Sequence, residues 1–589
     1  MSVTLDSLPK KAQILVIGGG PGGAFTAAAL SREGFEVVVL EKAKFPRYHI
    51  GESMLPSVRP FMKFIDLEET IMNHGFTPKP GAAVKFVQWK REAYTDFISL
   101  DPNNGAWNVV RSEFDELILR HAAKCGAKVF EEVTVTEIEF TDNDPTKRPI
   151  AVTYRTRSKE FGRMEYDYLV DASGRAGLIS TRYLKNRDKN LTLDNVACWG
   201  YWKGTKQYRP GTTRHNAPWF EALTDETGWN WFIPLHNGTT SVGVVMNQAK
   251  SNERKKRATE ANGGNPRSLK DHYLDCLKLT PGLCELLGEA ELVDDGVHPI
   301  VQAAADFSYA AKCYSGDHWR LVGDAAAFID PFFSSGVHLA FTDGLSAAAS
   351  IASSIRGDFP EEQCWHYHDK KVGTAYTRFS LVVMSAYKQM LAQSEAVLAD
   401  INSDNFDRAF DLIRPVIQGA AETGKTLSAD EVNKTMDFVQ HVFAATDPEM
   451  HEAVGARIDP TLFSPTGKML TPNQVDEIFG EDDEEARAVV KEINARKAVH
   501  IMYDTEANFS NEDMDGLAVR VKHSSLGLIR VEDKDEKERK KELIIIDRLI
   551  ESGAQSTEVA PTLYGPKPLT GIERDEFAPM VNGSSTIIV

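Results

Sequence analysis

Near its start the chain alternates short apolar runs with a small-residue helix. Gln13–Ile17 is an apolar run of the length of a buried parallel strand. Ala24–Glu33 is alanine-rich with a helical period, and Phe35–Leu40 is a second buried strand closed by Glu41. Farther on, residues Gly228–Pro234 read Gly-Trp-Asn-Trp-Phe-Ile-Pro. Side chains two apart share one face of a strand. Trp229 and Trp231 therefore predict a broad indole wall, and Pro234 an end or an edge to its strand. Taken alone, such a strand is explained by core packing.

The alternation of strands and helices continues to about Asp343, as in a doubly wound α/β domain. Within it, Phe76–Tyr94 and Trp199–Val245 are rich in aromatic and β-branched residues and predict an inserted antiparallel sheet. From about Gly344 the pattern turns helical. Phe379–Ala386 reads as part of a buried helix, and Glu481–Arg496 and Val531–Glu551 as charged amphipathic helices. The expected organisation is a module over 1–350 with inserted β regions at about 76–110 and 195–300, a helical region over 351–551 covering a substrate pocket, and a tail over 552–589. The charged run Asn252–Glu260 predicts a solvated helix end or loop.

Composition narrows the partners. The net charge of -18 over 589 residues argues against general nucleic-acid or anionic-membrane binding, while leaving room for a local basic channel. Six scattered cysteines form no C-x-x-C pair, so no zinc or dithiol site is expected and the metal expectation is none. Reduced cysteines, no signal-peptide pattern and no apolar stretch of membrane-spanning length predict a cytoplasmic protein.

Candidate chemistry starts at Gly18, Gly20 and Gly23, a G-x-G-x-x-G between strand and helix. Its glycines permit a tight turn, approach to a pyrophosphate and close helix packing, and the helix N-terminus favours an anion. Glu41 stands where a carboxylate receives ribose hydroxyls. Arg47 and the Gly51–Pro56 turn follow. Trp107–Asp115 puts Arg111 at a strand-to-helix junction, and Tyr168–Gly177 adds a strand-turn-glycine unit. Leu321–Ala327 predicts a strand running straight into a helix start, with Asp324 placed to receive a ribityl hydroxyl. A nicotinamide dehydrogenase would not need the Asp324 unit.

In this order, over Gln13 to about Ala349, these segments resemble the two-domain flavoprotein monooxygenase scaffold. That likeness implies a Rossmann-like FAD-binding domain with an inserted β-sheet substrate region. Trp229-x-Trp231-x-Ile233-Pro234, Gly51–Pro56 and the lysines of Lys79–Phe86 further resemble flavin-dependent halogenases, in particular fungal halogenases of phenolic polyketides. The resemblance implies an enzyme that takes FADH2 from a separate flavin reductase and uses oxygen and chloride. It implies that hypochlorous acid reaches a lysine beside a small phenolic substrate, free or carrier-tethered. It places Gly18, Gly20, Gly23, Glu41, Arg47, Ser53, Arg111 and Asp324 at the FAD, Lys79 as catalytic lysine with Lys85 as fallback, and chloride on the backbone of Ser335 and Gly336. Pro78 and Pro80 make Lys79 a loop-like position. The tryptophan-halogenating branch has a glutamate before its Ser-Thr-Gly. Here Phe333 precedes Ser334-Ser335-Gly336, which favours a phenol, already activated by its own oxygen. An indole wall beside the flavin would suppress direct hydroxylation. Trp89, Phe332 and Phe333 are candidate aromatic liners. The competing expectations are an NAD(P)H-using aromatic hydroxylase on the same scaffold and a flavoprotein without catalysis.

Overall fold

A computed structural model of the chain describes residues 8–88, 92–98, 102–296 and 299–390, parts of 448–493, and 514–533. The first sheet is built on Lys11–Ile17, whose near-continuous burial follows from an apolar run covered on both faces. It pairs in parallel with Val37–Glu41 on one side and with Phe161–Asp171 on the other. The sheet extends in parallel to Lys128–Glu131 and to Trp319–Leu321. Antiparallel additions (Ser315–Gly316, Pro149–Thr156, Val133–Phe140) complete eight strands. The register sets Ile17 beside Leu40 and Asp171, and Asp171 beside Leu321. Gly18, Glu41 and the turn after Leu321 therefore gather at the carboxyl ends of the parallel strands, where open α/β sheets bind ligands.

The second sheet has nine strands and carries the tryptophan strand Gly228–Pro234 in its interior, between Trp219–Ala222 and Thr240–Asn247. Pro234 ends that strand. The expectation of an antiparallel insertion needs one correction: Trp219–Glu221 runs parallel to Ala83–Lys85. Lys79 also differs from its loop-like expectation. It closes the short strand Thr77–Lys79, paired antiparallel with Ala106–Asn108, and so sits on a different strand from Lys85.

The buried helix Gly336–Arg356 packs on the glycine-loop helix Pro21–Arg32 and crosses the expected boundary at 350. After it, Glu361–Met390 contains the Phe379–Ala386 segment. The region expected to be helical over 351–551 also holds a hairpin, Leu517–Arg520 with Gly527–Arg530. Leu517, Val519, Leu526 and Leu528 join the core formed by Ile14, Val16 and the first helix. Apolar alternation in so short a stretch is easily hidden among charged neighbours. The Val531–Glu551 helix beyond Asp533, the tail and Trp89 lie outside the described residues. Among the described residues no helix is long and apolar enough to cross a membrane.

Candidate active site

The glycine loop has the shape of a phosphate cradle. Gly18 has φ +103°, and a Cβ there would stand 2.3 Å from the Ala172 carbonyl oxygen. A Cβ on Gly23 would stand 2.1 Å from the Gly18 oxygen, so neither position admits a side chain. The helix that follows has Gly20 as N-cap with no side-chain cap, which leaves its first N–H groups open to an anion. Glu41 is buried and fixed by two backbone donors, Gly19 N–H at 2.6 Å and Ala43 N–H at 2.7 Å. A carboxylate accepts about four hydrogen bonds, so sites remain for ribose hydroxyls. These residues fit the FAD the sequence calls for.

The two arginines meet on an acid that sequence reasoning passed over. Asp115 is fully buried and accepts from Arg111 Nε at 2.8 Å and Nη2 at 3.0 Å. It also accepts from Arg47 Nη1 at 2.8 Å. Burial raises the Asp115 pKa, but the two guanidiniums outweigh it and the net direction is down. Arg111 Nη1 also donates to the Ile50 and Gly51 carbonyls at 2.9 and 3.1 Å. Arg111 therefore fixes the Gly51–Pro56 turn, while half-buried Arg47 reaches over the loop, 3.5 Å from where a Gly20 Cβ would be.

Asp324 differs in setting from its expectation. It lies in a short 3-10 turn, Gly323–Ala325, and the long helix begins only at Gly336. Ala327–Phe328 is taken up as an edge strand against Tyr309–Ala310, which interrupts any helix there. Burial pushes the Asp324 carboxyl up, against Arg175, Arg111 and Arg187. Next to it a cavity of about 530 Å³ is lined by Arg175, Lys185, Arg187 and Lys189, a local basic pocket on an acidic chain.

Lys79 is almost wholly buried, 1% exposed. Its Nζ donates to Ser53 Oγ at 2.8 Å and to the Met54 carbonyl at 2.7 Å, and lies 5.2 Å from the Phe97 ring centroid. Burial without a carboxylate partner pulls its pKa from 10.5 to about 7. Ser53, expected at the cofactor, is thus a hydrogen-bond partner of the lysine. Lys85 is half-buried on its own strand.

Trp229 and Trp231 are buried in one cluster, ring centroids 5.9 Å apart. Gly243 faces Trp231 across the sheet, and a Cβ there would stand 2.2 Å from the indole, so the ring needs that glycine. Each indole N–H leads to a buried acid. Trp229 Nε1 donates to Tyr387 Oη at 2.8 Å, and Tyr387 donates to Asp330 Oδ2 at 2.6 Å. Trp231 Nε1 donates to Ser241 Oγ at 3.1 Å. The Ser241 hydroxyl stands beside Glu52 and lowers its pKa. Tyr387, Asp330 and Ser241 carried no sequence signal of their own. Tyr387 meets Asp330, and Arg47 meets Asp115, only through chain folding, whereas the Arg111–Asp115 pair has the i, i+4 spacing of one helix face and could have been read from it.

Asp330 sets the turn that carries the expected halide site. Its Oδ1 accepts from Phe332 N–H at 3.1 Å, Pro331 opens the turn, and Ser334 adopts φ +57°. Phe332 packs edge-on against Trp229 at 5.0 Å. Ser335 is the N-cap of the 21-residue helix Gly336–Arg356 and is fully buried, yet its hydroxyl has no partner among the described residues. An orphan hydroxyl at an uncapped helix N-terminus fits a small anion.

One further cluster lies outside this site. His74 Nε2 and His236 Nε2 meet Glu113 Oε2 at 2.7 and 3.2 Å. Metal-bound histidines are normally oriented by a partner on the second ring nitrogen. Neither ring has one among the described residues, so the group reads as a hydrogen-bonded link between elements.

The tryptophan halogenase family profile matches residues 13–100 and 98–397. The flavin-dependent halogenase armH4 of Armillaria mellea is 56% identical over 89% of this chain and 99% of its own length. The sulochrin halogenase gedL of Aspergillus terreus is 44% identical over 93% of this chain and 98% of its own. Among solved structures, the myxobacterial chondrochloren halogenase CndH aligns with a TM-score of 0.58 at 26% identity, over 74% of this chain and 98% of that one. The glycine loop, the tryptophan strand and these relatives agree: the chain belongs to the flavin-dependent halogenases, enzymes that use FAD and a halide.

Proposed function

We propose that this chain chlorinates an electron-rich phenolic substrate, with Lys79 as the catalytic lysine, chloride held at Ser335–Gly336, and FADH2 delivered by a separate reductase. The observation that carries the reading is the state of Lys79. An ammonium has three N–H donors, and two are engaged by Ser53 and Met54. The third is left for an oxidised halide. A pKa of about 7 keeps the neutral amine accessible as well, so both roles of such a lysine remain within reach: hydrogen-bonding hypochlorous acid, or forming a chloramine with it.

Bound at the glycine loop, Glu41, Arg47 and Asp324, the reduced flavin supplies, with oxygen, the two-electron oxidation of chloride. The chain's own residues do the rest. Ser335 and Gly336 offer a hydroxyl and backbone N–H groups to the halide. The Trp229–Trp231–Phe332 block fills space between turn and sheet, which supports a separated route in which a small oxidised halide reaches the lysine. Support for a phenol comes from Phe333 in place of a glutamate, and from a relative named for sulochrin at 44% identity.

Lys79→Ala should abolish chlorination while FAD binding and oxidation of reduced flavin continue. The assay supplies FAD, a reductase, NADH, chloride and a panel of phenols, and reads the chlorine isotope pattern. Normal product from this variant would reject the lysine assignment. A hydroxylated product independent of chloride would reject the halogenating reading.

A further inference from the structure

The net reaction of the family consumes a proton. Counting atoms and charge, FADH2, molecular oxygen, a halide ion, a proton and an aromatic C–H yield FAD, a carbon–halogen bond and two waters. Lys79 is only 1% exposed, so a proton used beside it has to come through the protein.

One chain of hydrogen bonds links a buried carboxyl to a partly exposed tyrosine. Glu52 is 3% exposed and lies in the Gly51–Pro56 turn, one residue before Ser53. The turn is pinned from two sides, by Arg111 on the Gly51 carbonyl and by Lys79 on the Met54 carbonyl. Tyr201 donates to Glu52 Oε1 at 2.6 Å. Tyr48 Oη lies 3.0 Å from Tyr201 Oη and accepts from Trp199 Nε1 at 2.7 Å. Tyr48 is 38% exposed, one of five large hydrophobic side chains at the surface among the described residues. At the inner end, Glu52 Oε2 is buried without a well-aligned partner among the described residues.

We propose that Glu52, Tyr201 and Tyr48 form a proton path from the surface to the Gly51–Pro56 turn beside Lys79, with Glu52 as the inner acid. The transfer balances along the chain. The Tyr201 O–H breaks as an O–H forms on Glu52. The Tyr48 O–H breaks as the Tyr201 O–H re-forms, and solvent returns a proton to Tyr48. Rotation of the carboxyl about its Cγ–Cδ bond then turns the new O–H away from Tyr201, and Glu52 gives up that proton on its inner side. The charged and titratable groups facing Glu52 are Tyr201, Arg111 and, through Tyr201, Tyr48, with the Ser241 hydroxyl beside it. Burial raises the Glu52 pKa to about 7, and Tyr201, Ser241 and Arg111 only partly offset it. The carboxyl can therefore both hold and release a proton near neutrality. Burial and Glu52 push Tyr201 far above the usual tyrosine range, so it relays a proton without resting as tyrosinate.

This inference rests on the family's net reaction and stands apart from the role given to Lys79. The decisive variant is Tyr201→Phe, which keeps the ring and removes the link. In FAD-free protein, the infrared C=O band of protonated Glu52, identified by its absence in Glu52→Gln, reports exchange into deuterated water. Exchange should be fast in the parent chain and in Lys79→Ala, and slow in Tyr201→Phe. With reduced flavin bound, Tyr201→Phe should bind FAD normally. It should lose about 100-fold in chlorination rate, the scale of one positioned acid, and regain part of it with small buffer acids. Fast exchange in Tyr201→Phe would overturn the path. Slow exchange with undiminished chlorination would overturn its role in the reaction. Lys79→Ala losing chlorination while exchange stays fast would uphold both readings separately.

Discussion

Two buried acids hang from the two indoles of one strand, and they are satisfied to different degrees. Asp330 receives Tyr387, Asn195 and the Phe332 backbone, at 2.6, 3.2 and 3.1 Å, so both of its oxygens are occupied. Glu52 has a short bond on one oxygen only. A saturated buried carboxylate fixes geometry, because every partner would be stranded without it. An unsaturated one tolerates a change of protonation, because its charged form is poorly served. The tryptophan signature therefore joins a rigid end, the Pro331–Ser335 turn, to a titratable end, the turn beside Lys79.

The largest effect expected from this contrast is at the rigid end. Asp330→Ala would take the acceptor from the Tyr387 hydroxyl and the Phe332 N–H, while the Asn195 amide keeps Tyr387 Oη at 2.8 Å. It should cost about 3–5 kcal/mol in denaturant unfolding, and chlorination should fall with it as the Pro331–Ser335 turn loosens. A loss under about 1 kcal/mol would show that Asp330 does not hold the turn.

The titratable end should respond with the opposite sign. Glu52 titrates near 7 in the folded chain against 4.5 ordinarily. Between those values the folded state holds a proton that the unfolded state has lost. The group's contribution is thus complete below pH 4.5 and is lost as pH rises through 7. Glu52→Gln removes this dependence. Relative to the parent, the variant should gain stability as pH rises from 4.5 to 8, by up to about 3 kcal/mol. A gap independent of pH, measured by unfolding across that window, would mean that Glu52 is not held protonated.

What could be read from the chain divides along the same line. The glycine loop, Glu41 and the shared face of Trp229 and Trp231 are local patterns, fixed by helix and strand periods, and the fold keeps them. Lys79 was marked by resemblance, but its environment was not: the Ser53 hydroxyl that holds it comes from 26 residues away. Glu52 stood in plain view within Gly51–Pro56, and its partner Tyr201 is 149 residues distant. Tyr387 reaches Asp330 across 57 residues, from a helix whose sequence speaks only of burial. The helix expected at Asp324 failed for a related reason, since pairing with Tyr309 and Ala310 draws Ala327–Phe328 into a sheet. Periodicity reports which face is buried. It does not report which polar group that face will meet.

The smallest expected effect tests whether the two ends are joined through Trp231. Ser241 is fully buried, accepts the indole N–H, and lowers the Glu52 pKa. Ser241→Ala removes one oxygen and keeps the backbone pairing of its strand with Ile233 and Tyr201. Leaving the indole N–H without an acceptor should cost about 1 kcal/mol. Because the hydroxyl favours the ionised carboxyl, its loss should move Glu52 titration upward, read as the midpoint of its infrared C=O band. The pH at which stability is lost should move up with it. An unmoved midpoint would separate the tryptophan signature from the acid, leaving Trp231 as packing alone and Glu52 governed by burial, Tyr201 and Arg111.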